Sequence, residues 1–391
     1  MKNGSFFKLK NVGLCLASLM LTACSNSNFF LGKSNAPEPK PLPVLEHQAM
    51  QSQILWQQKV GKGAQVLGIS LQPAAWGGRI YAVSADGYFA AFTPQTGQEI
   101  FSVNLQNEIS AGVTLENGVA YVGTRKGDIM ALDAENGRTL WRQALPSMAL
   151  SAPVVADNIV VVRSNDGTVS AFNHEGEALW QYQLQTPLLS IRGTSKLVVG
   201  GGVVILTADN GFFVVLDQMN GLPITELRLA SGQGNTAVER LVDMDATPIV
   251  NHQTLFGSAY QAMMFAINLS DGSPLWRQPQ VSTQKNFALS TDKVFVVTDT
   301  DHVVALEQRN GNIIWENTAL EGRKLSPVVA IPNAVGVLDA QGYLHWLNAQ
   351  TGKVIGQTAL GNYQANTQPL VLSEQIIWQM TNGQLFAIKP N

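Results

Sequence analysis

The stretch Ala-Leu-Asp-Ala-Glu-Asn-Gly-Arg-Thr-Leu-Trp at Ala131–Trp141 returns along the chain with small changes. It reads Ala-Ile-Asn-Leu-Ser-Asp-Gly-Ser-Pro-Leu-Trp at Ala266–Trp276 and Ala-Leu-Glu-Gln-Arg-Asn-Gly-Asn-Ile-Ile-Trp at Ala305–Trp315. Looser or shortened copies of this phrase begin at Ala91, Ala171, Val215, Trp346 and Ala387. A period of about 40 residues predicts an array of one supersecondary unit, so the fold follows from the repeat.

One copy of the unit, Ser151–Leu184, divides into four short runs that are rich in β-branched residues. Turn sequences such as Asn165-Asp166-Gly167 separate the runs. The predicted strands are Ala152–Val155, Ile159–Arg163, Thr168–Phe172 and Ala178–Leu184. Four short strands joined by Gly, Asp and Asn turns predict an antiparallel meander. The aromatic residue that ends most copies of the phrase predicts packing between neighbouring units.

The two ends of the array predict how it closes. Residues around Ile54–Val60 supply only the outer strand of a unit, and the last phrase stops at Ala387–Lys389, before its own outer strand. The N-terminal strand can therefore complete the C-terminal unit, which leaves only short, protected sheet edges. We predict an all-β fold over residues 51–391, an eight-bladed β-propeller of four-stranded antiparallel blades.

The N-terminal segment has the pattern of a lipoprotein signal. Three lysines precede the apolar run Val12–Leu21, which is too short to span a bilayer as a mature helix. The run ends in Leu21-Thr22-Ala23-Cys24, which resembles a bacterial lipobox. We predict a signal peptide over residues 1–23, acylation of Cys24 and, because of its prolines, an extended and flexible tether over residues 24–50. The alternative is an ordinary secretory signal with an incidental cysteine.

Composition argues against several function classes. After loss of the signal peptide Cys24 is the single cysteine, so no disulfide can form within the mature chain. The net charge of −3 gives no electrostatic case for nucleic-acid binding. The five histidines lack metal-ligand spacing, and the chain has no Gly-x-Ser-x-Gly, phosphate loop or His-Glu-x-x-His. We therefore expect no catalytic, metal or cofactor site.

The phrase itself resembles the repeat of the pyrroloquinoline-quinone dehydrogenases. That resemblance implies an eight-bladed propeller and leaves an enzyme as an alternative. Those enzymes clamp their quinone with a disulfide between adjacent cysteines and a calcium ion, and this sequence has no adjacent cysteine pair.

Two connections between units are longer than the others, Gln185–Gly193 and Ala230–Ala246. They follow consecutive units, so we predict that they lie side by side on one face. The candidate interface residues that they carry are Leu189, Ile191, Arg192, Asp243 and Asp245. Apolar residues beside charged ones in a loop are typical of a protein interface. The alternative is that the apolar side chains pack under their loops and the arginine pairs with an aspartate internally.

Over essentially its whole length the chain resembles the BamB family, the propeller lipoproteins of the outer-membrane β-barrel assembly machinery. The most specific matches are Leu189–Gly193, Glu239–Pro248 and Gly342–Trp346. The resemblance implies a non-enzymatic scaffold whose two long loops dock on a periplasmic POTRA domain of BamA, with the five candidate residues as contacts. Unfolded outer-membrane proteins are a second implied partner.

The same resemblance bears on localisation. Ser25 follows Cys24 in place of an aspartate, which implies sorting to the outer membrane, and lipoproteins of this kind carry three acyl chains. The chain is therefore expected on the periplasmic side of the outer membrane, held by a permanent anchor. A quinoprotein dehydrogenase and a generic periplasmic propeller with another partner remain the alternatives.

Overall fold

The computed structural model describes residues 38–64, 69–184, 195–208, 211–230 and 242–391. These residues form strands, turns and connections and contain no helix. A search of the same residues finds no helix long and apolar enough to cross a membrane. The strands form eight antiparallel meanders, so the predicted eight-bladed β-propeller is confirmed. The signal peptide and Cys24 lie outside the described residues.

Each blade has four strands, and we number the blades along the chain from the first complete meander. Blades 1 and 2 consist of β3 (Ala74–Trp76), β4 (Arg79–Val83), β5 (Tyr88–Phe92) and β6 (Glu99–Asn104), then β7 (Ile109–Glu116), β8 (Val119–Thr124), β9 (Asp128–Asp133) and β10 (Thr139–Ala144). Blades 3 and 4 consist of β11 (Val154–Ala156), β12 (Ile159–Arg163), β13 (Thr168–Phe172) and β14 (Ala178–Gln183), then β15 (Val198–Gly200), β16 (Val203–Thr207), β17 (Phe212–Asp217) and β18 (Pro223–Arg228).

The second half of the ring repeats the pattern. Blades 5 and 6 consist of β19 (Ile249–Asn251), β20 (Thr254–Ala259), β21 (Met263–Asn268) and β22 (Pro274–Gln278), then β23 (Ala288–Leu289), β24 (Lys293–Val297), β25 (Val303–Glu307) and β26 (Ile313–Asn317). Blades 7 and 8 consist of β27 (Val329–Ile331), β28 (Ala334–Leu338), β29 (Tyr343–Asn348) and β30 (Val354–Ala359), then β31 (Leu370–Val371), β32 (Ile376–Gln379), β33 (Gln384–Pro390) and β1 (Ser52–Lys59).

The ring closes as the sequence predicts. The N-terminal strand β1 pairs antiparallel with β33, so that Ser52 lies opposite Pro390 and Lys59 lies opposite Gln384. One further short strand, β2 (Ser70–Leu71), was not predicted and adds in parallel to the inner strand β7 of blade 2.

Blade 3, formed by the unit Ser151–Leu184, shows how closely the strand bounds predicted from the turn residues match the structure. The two middle strands of blade 3, β12 and β13, have the predicted bounds. The inner strand β11 begins at Val154, two residues later than predicted, directly after Pro153. Proline has no N–H to donate to a ladder, which explains the late start.

The core lies in the seams between neighbouring blades. Within the described residues a cluster of buried apolar side chains fills each of the eight seams. Between blades 6 and 7, for example, Phe295 packs with Val335 and Val337. Because each blade buries both faces against its neighbours, the apolar runs are nearly continuous rather than strictly alternating.

The phrase tryptophans hold the seams together, as predicted. Each projects from an outer strand and donates its indole N–H to a backbone carbonyl in the next blade. The pairs are Trp56 with Pro94 (2.6 Å), Trp141 with His174 (2.7 Å), Trp180 with Gln218 (2.9 Å), Trp276 with Gln308 (2.7 Å) and Trp315 with Ala349 (3.0 Å). The ring packs on a glycine of that next blade: a Cβ on Gly352 would lie 2.4 Å from the Trp315 ring.

The two faces of the ring differ in what they carry. The turns between the second and third strands of each blade lie on one face, together with the connections from each outer strand to the next blade. We call this the interblade face. At blade 7 a turn and a connection of this face are in contact. The N–H of Ala340, in the turn between β28 and β29, donates to the carbonyl of Arg323, in the connection from blade 6, at 3.0 Å.

Candidate partner-binding site

The two long connections join blade 3 to blade 4 and blade 4 to blade 5, and the described strand ends from which they leave lie on the interblade face. Three of the predicted contact residues, Leu189, Ile191 and Arg192, lie outside the described residues. The other two, Asp243 and Asp245, are described, as is the polypeptide that enters and leaves each connection.

Both aspartates point into the protein rather than to solvent. Asp243 is 0 % exposed and Asp245 is 6 % exposed, and neither is without a partner. The apolar residues that alternate with them, Val242 and Met244, are buried as well. For these two positions the structure therefore favours the alternative of contacts within the chain, and the aspartates support the connection from beneath.

Hydrogen bonds fix the buried end of the second connection to blades 4 and 5. The Tyr260 N–H donates to the Asp243 carbonyl at 2.8 Å, and the Thr207 hydroxyl donates to the Met244 carbonyl at 3.0 Å. The Thr207 carbonyl in turn accepts from Arg163 at 3.0 Å, and Arg163 is 2 % exposed. A buried arginine needs acceptors around it, and here the Thr207 carbonyl, which accepts from Arg163, belongs to the same residue that donates to the connection.

Lys196 is a half-buried cation near the same connections. Burial lowers its pKa to about 8. Its backbone N–H donates to the Thr247 hydroxyl at 3.1 Å, which ties the start of blade 4 to the start of blade 5. Sequence reasoning missed Lys196 and Arg163, although an arginine that ends an apolar strand, as Arg163 ends Ile159–Arg163, is a usable signal of a buried cation.

A cleft of about 150 Å³ opens at the seam between blades 3 and 4, beside the first connection. Tyr182, Phe212 and Glu226 are among the residues that line it. The Tyr182 hydroxyl donates to the Glu226 carboxylate, and the pKa of Tyr182 is raised to about 12 by burial first and by Glu226 second. Arg228 lies 5.8 Å from the centre of the Phe212 ring. The cleft offers apolar and charged groups together but no acid–base pair suited to catalysis.

The arrangement most like a catalytic one lies elsewhere and is fully buried. In blade 7 the Asp339 carboxylate lies 2.8 Å from His345 Nε2 and 2.7 Å from Arg323 Nε. Asp339 and His345 are at most 1 % exposed, and Arg323 is 5 % exposed. A reactant has no access to this pair, so its role is to hold Arg323 in place.

No group of three or more His, Cys, Asp or Glu side chains suited to a metal ion occurs within the described residues.

Near the inner strands of the blades, glutamine side chains form hydrogen bonds between segments that are distant in sequence. Gln368 of blade 8 donates to the Phe287 carbonyl of blade 6 at 2.7 Å, and Gln72, directly after β2, donates to the Gln368 carbonyl at 3.2 Å. These bonds join blades that are not neighbours in sequence.

Comparison with known proteins decides the family. A family model described as outer membrane protein assembly factor BamB matches residues 85–317 and 302–391. A curated relative from Yersinia pestis with the same description is 30% identical over 388 residues, which cover 96% of this chain and 97% of the relative. The chain belongs to the BamB family.

Solved structures agree with this assignment. The crystal structure of BamB from Moraxella catarrhalis covers 87% of this chain and 100% of its own, with a TM-score of 0.78 and 26% identity. A quinohemoprotein alcohol dehydrogenase from Comamonas testosteroni covers 86% of this chain and 76% of its own, with a TM-score of 0.68 and 12% identity. The second likeness shows the shared propeller fold alone. The relatives' description is that of an assembly factor rather than an enzyme.

Proposed function

We propose that this protein is a non-enzymatic scaffold of the outer-membrane protein assembly machinery, anchored through Cys24 on the periplasmic side of the outer membrane. It docks on a periplasmic POTRA domain of BamA and supports the folding and insertion of outer-membrane proteins. One observation carries the proposal: the repeat lengthens at two consecutive connections, whose described strand ends lie on one face of a propeller that belongs to the BamB family.

The docking surface consists of the two long connections. Leu189, Ile191 and Arg192 supply its direct contacts. Asp243 and Asp245 belong to the same surface but are buried, so their part is to hold the second connection in shape for the partner. An arginine that lies close in sequence to leucine and isoleucine has the chemistry of an interface hot spot.

Affinity capture of BamA tests the docking surface. Arg192→Ala should weaken BamA binding by about 2 kcal/mol, or roughly 30-fold, as loss of a hot-spot arginine does. The matched control is Arg309→Ala in the turn between β25 and β26, on the opposite face, where the Arg309 side chain is 84% exposed. The control should retain full binding.

Unchanged capture of BamA by Arg192→Ala would remove this patch from the proposal. Absence of BamA from the eluate of the unmodified protein would favour a propeller with another partner. Crosslinkers placed around the ring test the second partner, and capture of BamA without any unfolded outer-membrane protein would exclude that contact.

Fractionation of cells tests the anchor. Cys24→Ala should leave the propeller folded but release it from the outer membrane, because the acyl chains supply the membrane affinity. Cys15→Ala, in the predicted signal peptide, is the matched control and should fractionate normally. Normal outer-membrane recovery of Cys24→Ala would exclude lipid attachment at this residue.

A further inference from the structure

Residues 38–50, which precede the first strand, lie along the outer edge of blade 7. The backbone N–H groups of Ala49 and Met50 donate to the Ile355 carbonyl at 2.9 and 3.1 Å. Further along, the Gln357 side-chain amide donates to the Pro43 carbonyl at 3.2 Å. The segment therefore covers strand β30, whose edge would otherwise face solvent. We call residues 38–50 the strap.

The far end of the strap is fixed on the interblade face. The Lys40 N–H donates to the Glu321 carbonyl at 3.0 Å, and the Lys40 ammonium lies 2.8 Å from the Glu321 carboxylate. The same ammonium donates to the Thr318 carbonyl at 3.0 Å. Thr318 and Glu321 belong to the connection from blade 6 to blade 7, so three bonds hold Lys40 at that seam.

A buried arginine holds the strap from below. Arg323 is 5 % exposed and donates to the Lys40 carbonyl at 2.8 Å. Its other guanidinium nitrogens contact Asp339 at 2.7 and 2.6 Å, and Asp339 also contacts His345. Because a buried cation must have its donors satisfied, the guanidinium is oriented by Asp339 and leaves one N–H directed at the strap.

The sequence of blade 7 is adapted to the strap at one further position. Five of the other blades have tryptophan at the end of the phrase, whereas blade 7 has Gly356. A Cβ at Gly356 would lie 2.2 Å from the Met50 carbonyl oxygen, so any side chain there would displace the strap. The Gly356 backbone has no positive φ that would itself require glycine.

The strap changes the face on which the polypeptide leaves the ring. Strand β1 begins at Ser52, opposite Pro390, and runs toward Lys59, opposite Gln384, beside the turn at Gly383 on the interblade face. Ser52 therefore lies on the opposite face. The strap carries the preceding polypeptide back across the edge of blade 7 to Lys40, on the interblade face.

We propose that the strap makes the membrane anchor depart from the interblade face, so that the bilayer lies on the same side as the two long connections and the docked partner is held between propeller and membrane. This rests on the proposed function, because it requires acylation at Cys24. The 14 residue steps from Cys24 to Glu38 reach at most about 50 Å when fully extended. A free chain from Met50 would start on the other face and reach nearly twice as far.

Hydrogen exchange on the unacylated Cys24→Ser chain tests the strap alone. The amides of Ala49 and Met50 should exchange at least about tenfold more slowly than in Gly356→Ala, whose methyl group displaces Met50. Val44→Ala is the matched control, because Val44 is 95 % exposed, and it should keep the protection. Equally fast exchange in the unmodified strap and in Gly356→Ala would overturn the proposal.

Energy transfer on vesicles tests the orientation. The acylated protein carries a donor dye at Gln341→Cys, in the β28–β29 turn of the interblade face, or at Gln350→Cys, in the β29–β30 turn of the opposite face. Both glutamines are exposed and belong to the same blade. Vesicles of phosphatidylethanolamine and phosphatidylglycerol carry an acceptor on their headgroups. Transfer should be stronger from position 341, and Gly356→Ala should remove the difference.

Equal or stronger transfer from position 350 with the unmodified strap would overturn the orientation. Failure of the proposed lipid attachment gives a different result from failure of the strap. A chain whose N-terminal peptide carries no acyl mass and that does not bind vesicles would overturn lipid attachment and the orientation with it. Slow exchange at Ala49 and Met50 in the same preparation would still support the strap.

Discussion

The seam between blades 6 and 7 and the seam between blades 4 and 5 use the same repeat position differently. In the first, Trp315 is 9 % exposed, packs on Gly352 and donates to Ala349 at 3.0 Å. In the second, the equivalent residue is the half-buried Thr225, and only Leu227, at 3.8 Å, lies near the space beside Gly272.

The two seams also differ in what lies beside them. The seam with the tryptophan also holds the strap, because Lys40 contacts the connection between blades 6 and 7. The seam without it is the one beside which the second long connection enters blade 5. The seam that holds the strap is therefore fastened by a tryptophan, whereas the seam at which the second long connection enters blade 5 lacks one.

Removing the aromatic from the tight seam should have the largest effect. Trp315→Ala deletes a buried ring that also packs 5.9 Å from the Phe295 ring, and it should lower the free energy of unfolding by about 3–5 kcal/mol. Urea unfolding followed by circular dichroism measures the change. Ile314→Ala is the control on the same strand, since Ile314 is 43 % exposed, and should cost less than about 1 kcal/mol. Equal losses in the two variants would contradict a special role for the tryptophan.

A pair of glycine substitutions isolates the contact from backbone strain. Gly352 (φ +70°) and Gly77 (φ +57°) both have positive φ, but a Cβ meets Trp315 at 2.4 Å in the first and open space in the second. Gly77→Ala should cost about 1–2 kcal/mol from left-handed backbone alone. Gly352→Ala should cost a further 1–3 kcal/mol, roughly, from overpacking. Urea unfolding of both variants measures the difference, and identical costs would show that the ring and the glycine are not tightly packed.

How far the sequence predicts these features depends on how local they are. The period, the turn glycines and the recurrent aromatic are local signals, and they predict the ring, its closure by β1 and the packing role of the tryptophans. Each of these predictions is confirmed because every blade repeats the same short-range chemistry. The late start of β11 after Pro153 is equally local, so the sequence contains the signal for it.

Features that depend on contacts between distant segments could not be predicted in this way. The pattern Asp243-Met244-Asp245 suggests an exposed acidic loop, yet both carboxylates are buried, because the connection packs against blades 4 and 5. In the sequence, Gly356 looks like a degenerate end of the phrase. The structure shows that it contacts the Met50 carbonyl, which leaves no space for a side chain. Their partners lie across the fold and leave no periodic signal.

The smallest effect is expected from a substitution that makes the seam between blades 4 and 5 resemble the seam between blades 6 and 7. Thr225→Trp places an indole opposite Gly272, where the nearest side-chain atom to a Cβ is 3.8 Å away, and within reach of the Leu269 carbonyl three residues before the glycine. Trp180, Trp276 and Trp315 each donate to a carbonyl that lies three residues before the glycine on which the ring packs. Burial of the ring and one hydrogen bond should raise the free energy of unfolding by about 1 kcal/mol.

The matched control is Thr225→Ala, which removes the hydroxyl without adding a ring and should change stability by less than about 0.5 kcal/mol. If the looseness of this seam serves the partner, the tryptophan variant should also bind BamA more weakly than the alanine variant in the same capture assay. A stabilised variant that binds BamA normally would show that the missing tryptophan has no part in docking. A destabilised variant would show that the space beside Gly272 is too small for the ring and that the two seams differ in shape as well as in sequence.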